Sequence, residues 1–170
     1  KPGFTGTFDL VEGNNKSLLT LSYNYLGSTC VILTDSSGNK IRDFRTYSTD
    51  INLFYSGINA YNSGFYICGA RVRTQLYGIV FRLDNNLNVN WFKGYFPDNW
   101  YCGEFLGIGA YNKNKLLLMS EPENAGGWKM SHQVLLDSNG LIKKGFKFMS
   151  DSFITYPNSL KILSSGKFIF

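Results

Sequence analysis

Three aspartates recur along the chain in one setting. Asp35, Asp84 and Asp137 lie 49 and 53 residues apart, with Asn or Ser directly behind each. A calcium loop would need six to eight oxygens, and each of these segments offers a single carboxylate. An Asp that accepts hydrogen bonds from its own turn is the simpler reading, with Gly38 and Gly140 supplying positive φ; Leu87 stands where the middle segment would carry that glycine. His132 is the one histidine. Counted from the turn aspartate it shares a column with Cys30 and Ile79, which fits a half-buried strand position better than a catalytic base. No Ser or Cys nucleophile motif adjoins it. Cys30, Cys68 and Cys102 form no Cys-x-x-Cys pair, so no zinc site is expected, and no metal or other cofactor. Asn15-Lys16-Ser17 is a lone glycosylation sequon on an expected hairpin.

Composition narrows the classes. The chain has 170 residues, 44% hydrophobic, with Phe, Tyr and Trp making up 16%. That aromatic content excludes disorder and supplies a large core. Charged residues are 17%, and the net charge of +5 is scattered without a Lys/Arg block, which gives nucleic-acid binding no footing. No apolar run approaches the roughly 18 residues of a membrane helix. The chain opens Lys1-Pro2-Gly3 and stops inside an apolar alternation at Phe170, so a piece of a longer chain is expected.

The elements that hold these residues repeat. VILTDSSGNKIRDF from Val31, IVFRLDNNLNVNWF from Ile79 and VLLDSNGLIKKGF from Val134 each read as strand, Asp turn, strand, aromatic. A second unit precedes each: Leu18, Phe65, Leu116 and Phe168 mark it at spacings of 47, 51 and 52. Two markers with one period near fifty, in short β-rich runs bounded by Gly, Asn, Ser and Asp, predict four antiparallel strands per unit. The class is all-β: antiparallel four-stranded blades of a β-propeller, about three and a third repeats. The units are expected at 7–56, 57–106, 107–158 and 159–170, the last incomplete. A ring of roughly four to eight blades would need more than this. Trp91, Phe44 and Phe146 end the fourth strands and are expected to pack between blades.

The LD-x-x-G turn, the following strand ending in Trp or Phe, and the Gly-Phe-Tyr-Ile-x-Gly run at Gly64 resemble the propeller repeats of secreted Bacteroidetes-type surface proteins. They are also similar to the wider quinoprotein-like (PQQ-like) repeats. The resemblance covers essentially the whole chain, apart from Lys1–Gly6, and implies an extracellular or cell-surface location. It specifies fold far better than activity.

Function is expected where the connections are long and irregular, because variable loops on a rigid scaffold carry binding. These are Tyr23–Ser28, Arg45–Ser56, Ala70–Tyr77, Gly94–Phe105, Ser120–Ser131 and Met149–Asn158. They hold many aromatics, among them Tyr77, Tyr95, Trp100, Tyr101 and Trp128, with Arg71, Arg73, Glu121 and Glu123 beside them. Rings flanked by Arg and carboxylates suit sugar faces or the anchor residues of a protein partner. Trp100-Tyr101 and the Glu121–Trp128 stretch are the leading candidates.

The expected function is a non-catalytic module for adhesion, assembly or glycan and protein binding. A structural subunit, associating with copies of itself through open blade edges, is one alternative. The other is a quinoprotein-like dehydrogenase or a propeller hydrolase, for which Asp98, Glu104, Glu121 and Glu123 would be the carboxylates.

Overall fold

The computed structural model describes residues 6–13, 16–23, 29–45, 52–61, 64–72, 76–95, 105–112, 114–120, 123–125, 128–150, 160–163 and 167–169. Two four-stranded antiparallel sheets come first. One runs β1 (Gly6–Glu12), β2 (Leu18–Tyr23), β3 (Thr29–Thr34), β4 (Lys40–Arg45); the next runs β5 (Asn52–Tyr61), β6 (Gly64–Val72), β7 (Leu76–Asp84), β8 (Val89–Tyr95). The third has β9 (Phe105–Asn112), β10 (Lys115–Ser120), β12 (Trp128–Asp137) and β13 (Ile142–Ser150) in that order, with β11 (Glu123–Ala125) pairing the start of β12. A last pair, β14 (Lys161–Ile162) and β15 (Phe168–Ile169), forms a hairpin. The protein is all-β, built from repeated antiparallel sheets that resemble propeller blades.

Neighbouring sheets pack face to face, and the apolar pattern records which faces are covered. Leu19 and Leu21 of β2 are buried while Leu18 and Thr20 are partly exposed, the period-two signature of one covered face. In β6 every residue from Phe65 to Ala70 is buried, so the run is continuously apolar. Its odd-numbered side chains, Phe65 and Ile67, join Leu19, Leu21, Val31 and Leu33 in the first interface. Its even-numbered ones, Tyr66 and Cys68, join Leu116, Leu118, Val134 and Leu136 in the second. The innermost strands β1, β5, β9 and β14 touch in sequence, which sets the order of the stack.

All three Asp turns have one construction. The Asp35 carboxylate accepts the backbone N–H of Ser37 and of Asn39, each at 2.9 Å, and the Asn39 side-chain amide at 3.1 Å. Asp84 does the same with Asn86, Asn88 and the Asn88 amide. Asp137 accepts Asn139 and Leu141 N–H, and Lys143 takes the place of the Asn amide at 3.0 Å. Gly38 (φ 84°) and Gly140 (φ 73°) hold the left-handed position, and Leu87 holds it too, at φ 60°. Left-handed backbone costs a non-glycine residue about 1–2 kcal/mol. The Leu87 side chain is 4% exposed in the first interface, and burying a leucine contributes about 1.5–3 kcal/mol. Burial offsets the strain.

Two sequence expectations need correcting. Counted from the turn aspartate, Trp91 is not the counterpart of Phe44 and Phe146. Strand register pairs Phe44 with Val31, Lys93 with Val80 and Phe146 with Gln133, whereas Trp91 pairs with Arg82 as Arg42 pairs with Leu33. Trp91 and Phe44 still pack into interfaces, as expected, but Phe146 is 36% exposed. The connections are also shorter than the aspartate spacing suggested, because strands run on into them. Tyr77 and Tyr95 are buried members of β7 and β8 rather than exposed loop aromatics.

Candidate functional site

The strand register puts the strand ends from which the long connections leave at the end of each blade opposite its Asp turn. Arg71 lies at that end of β6, paired with Leu53 and Tyr77. In the third sheet the Ser120–Ser131 stretch is mostly a hairpin. Glu123 pairs with Met130 and Ala125 with Trp128, and the two residues between them are Gly126-Gly127, a composition favoured in tight hairpin turns. β10 stops pairing at Gln133, and β12 continues back to Trp128 with β11 on one side and β13 on the other. At about 3.3 Å per residue the Trp128 backbone stands roughly 16 Å beyond Gln133 along β12. A three-stranded extension holds its shape better than a single connection would.

Of the candidate binding residues, the structure therefore puts the backbones of Arg71, Glu123 and Trp128 at one end of the blades. Trp100, Tyr101, Arg73 and Glu121 lie outside the described residues, as do Asp98, Glu104, Cys102 and Asn15.

A buried aromatic pair bridges the second and third blades. The Tyr95 hydroxyl donates to the Gly140 carbonyl at 2.9 Å, and its ring meets Phe105 edge-on at 5.6 Å. Burial pushes the Tyr95 phenol far above its ordinary range. His132 is 1% exposed on β12, and the Ser120 hydroxyl donates to its backbone carbonyl at 3.3 Å. Cys30 and Cys68 are buried thiols outside any disulfide, and burial raises the Cys30 thiol pKa.

A second feature escaped the sequence reading. At the Asp-turn end a cleft of about 420 Å³ opens between the first two blades, lined by Ser17, Leu33, Asp35, Ile41, Phe65 and Asn86 among others. Its polar rim comes from turn residues whose Asn and Ser content was visible. The apolar floor depends on two blades meeting, which no local pattern announces. The Asp35 carboxylate is committed to its own turn, and its hydrogen bonds, the Asn39 amide foremost, hold its pKa below the usual carboxylate range. Among the described residues no group of three or more His, Cys, Asp or Glu side chains is arranged to hold a metal ion.

No protein-family model matches the chain, and no curated protein matches it. Solved structures do. The chain is similar to a protein of unknown function from Bacteroides caccae, with a TM-score of 0.56 at 11% identity over 99% of this chain and 53% of that one. At that identity the likeness shows the fold alone. The chain spans about half the length of the protein it matches.

Proposed function

We propose that the protein is a non-catalytic extracellular or cell-surface module that binds glycan or protein partners through the long-connection end of its blades, in adhesion or assembly. The observation that carries this reading is the β11–β12 hairpin, which bears Glu123 and Trp128 past the end of β10. Arg71 lies at the same end of the neighbouring blade. The adjoining connection brings Trp100 and Tyr101 in sequence. Aromatic faces stack on sugar rings or fill a partner's pocket, while Arg and carboxylate groups fix orientation by hydrogen bonds. The polar groups at the opposite end are spent on turn construction, which leaves them poorly suited to proton transfer.

The test is a binding screen of soluble glycans and surface proteins against the wild type, Trp128→Ala and Trp100→Ala. Saturable binding weakened about tenfold or more by either substitution, with the ligand recovered unchanged, supports the reading. Turnover of the ligand, or binding indifferent to both substitutions, overturns it.

A further inference from the structure

The first two interfaces between blades follow one plan and differ along one row of side chains. Strand register matches Leu19, Leu33 and Arg42 of the first blade with Tyr66, Arg82 and Trp91 of the second. In the second interface this row closes on the next Asp turn. The Tyr66 hydroxyl and the Trp91 indole N–H both donate to the Ser138 carbonyl, at 3.5 and 3.3 Å, and the Arg82 guanidinium lies 5.8 Å from the Tyr66 ring centre. In the first interface Leu19 has no hydroxyl to give. Arg42 Nη1 donates one residue further along the turn, to the Asn86 carbonyl at 2.7 Å. The counterpart of the Ser138 carbonyl is that of Asn85, and it receives neither donor. Leu19 and Leu33 are shorter than Tyr66 and Arg82, and the cleft of about 420 Å³ opens here, over Leu33 and beside Asn85.

The lining has two parts. Leu33 and Phe65 make an apolar floor, and Ile41, 58% exposed, adds an apolar wall. The turn carboxylates are spent, but the side chains between them are not. Asp35 takes Ser37 and Asn39, and Asp84 takes the Asn86 N–H and Asn88. That leaves the exposed Ser36 hydroxyl and the Asn85 and Asn86 side-chain amides on the rim. Among the described lining residues Asp35 is the one charge and none is Lys or Arg, which disfavours an anion. The volume falls within the range of small-molecule sites, roughly 300–1,000 Å³.

We infer that this cleft is a binding site for a neutral sugar, one pyranose ring. One ring hydroxyl donates to the Asn85 carbonyl, as Tyr66 does to Ser138 in the next interface. Others pair with the Ser36 hydroxyl and the Asn86 amide, and a C–H face of the ring lies against Leu33 and Ile41. A phenol would satisfy the carbonyl and leave the rest of the rim to water, whereas a ring with several hydroxyls engages donors and acceptors together. The site is separate from the long-connection end of the blades and needs no ligand there.

The experiment is an NMR titration of the isotope-labelled 170-residue protein. The probes are methyl β-D-glucopyranoside, methyl β-D-galactopyranoside and methyl α-D-mannopyranoside, with p-cresol as the aromatic comparison. At least one sugar should give saturable shifts in the Asn85 and Asn86 amide signals and the Ile41 methyl signals. Replacing Asn85 and Asn86 together by Ala should weaken that binding about tenfold, the worth of one or two hydrogen bonds. Leu19→Tyr brings the ring and hydroxyl of the second interface into the first and should abolish it. If Leu19→Tyr does not fold, the Asn pair decides. No shift with any sugar, shifts with p-cresol alone, or sugar binding indifferent to the substitutions overturns the inference. So do shifts confined to the Trp128 end, a result that would leave the proposed binding end standing and remove only this site.

Discussion

Trp91 Nε1 donates to the Ser138 carbonyl across the boundary between the second and third blades, at 3.3 Å. The same ring lies 5.9 Å from Tyr66, whose hydroxyl reaches that same carbonyl at 3.5 Å. One turn carbonyl thus receives two donors from the preceding blade. The turn that closes one sheet is the point at which its neighbour holds it.

Trp91→Phe keeps much of the ring packing and removes the stronger of these donors. It should destabilise the fold by about 1 kcal/mol, the usual net worth of one hydrogen bond. Trp91→Ala, which also empties part of the interface, should cost about 3 kcal/mol. Urea unfolding of both variants checks the order. Equal losses would mean that the indole N–H contributes nothing.

Leu87 combines left-handed backbone with a buried side chain. Leu87→Ala keeps the backbone strain and loses the burial, for a cost of about 2–3 kcal/mol. Leu87→Gly loses the same burial and relieves the strain, so it should be the milder change by about 1 kcal/mol. Glycine milder than alanine at a buried leucine reverses the ordinary expectation. Chemical denaturation that finds alanine the milder of the two would contradict the account of this turn.

The turn carboxylates give the stability an acid limb. All three have lowered pKa values: Asp35 chiefly through the Asn39 side chain, Asp84 through the Asn88 side chain, and Asp137 through the Leu141 N–H and then Lys143. A depressed folded-state pKa adds stability that is complete above the unfolded value, about 3.9, and drains away as pH falls through the folded value. Tm should therefore drop below about pH 4. The triple substitution of Asn for Asp35, Asp84 and Asp137 should lower Tm at pH 7 and flatten the acid limb, so that the curves converge near pH 2. Parallel curves would contradict this.

Tyr95 acts at the alkaline end. Its phenol is neutral and buried in the fold, with a pKa well above the ordinary value near 10. The stability this contributes is complete below pH 10 and is lost as pH rises beyond it, because the unfolded chain ionises first. Tyr95→Phe should weaken the alkaline decline of Tm and cost about 1 kcal/mol at pH 7 through the lost bond to Gly140. An unchanged alkaline limb would contradict the assignment.

Much of the architecture was legible from Asp35, Asp84 and Asp137, because a turn that satisfies itself carries its whole specification in five residues. The strands before and after those turns were legible for the same reason. The Trp91 assignment failed because it matched Trp91 with Phe44 and Phe146 on ring type alone. The equivalent position holds Lys93, two residues on along the same face of β8, so both fit a face-period argument and only the pairing separates them. Register settles it, and register is not local. Tyr77 and Tyr95 looked like loop residues because nothing in sequence marks how far a strand runs once a neighbouring blade covers it. The β11–β12 hairpin was half legible: Gly126-Gly127 is a tight-turn signal, but Glu123-Asn124-Ala125 before it are residue types poor in strands.

The proposed binding end is tested most directly by tryptophan fluorescence. In a Trp91→Phe background the remaining reporters are Trp128, whose backbone lies at that end, and Trp100, which the sequence puts in one of the long connections. Titration with a panel of soluble glycans and candidate surface proteins should give, for at least one ligand, a saturable change in emission that Trp128→Ala reduces and that leaves the ligand chemically intact. Emission indifferent to every ligand that the protein demonstrably binds would place the binding surface elsewhere and contradict the proposal.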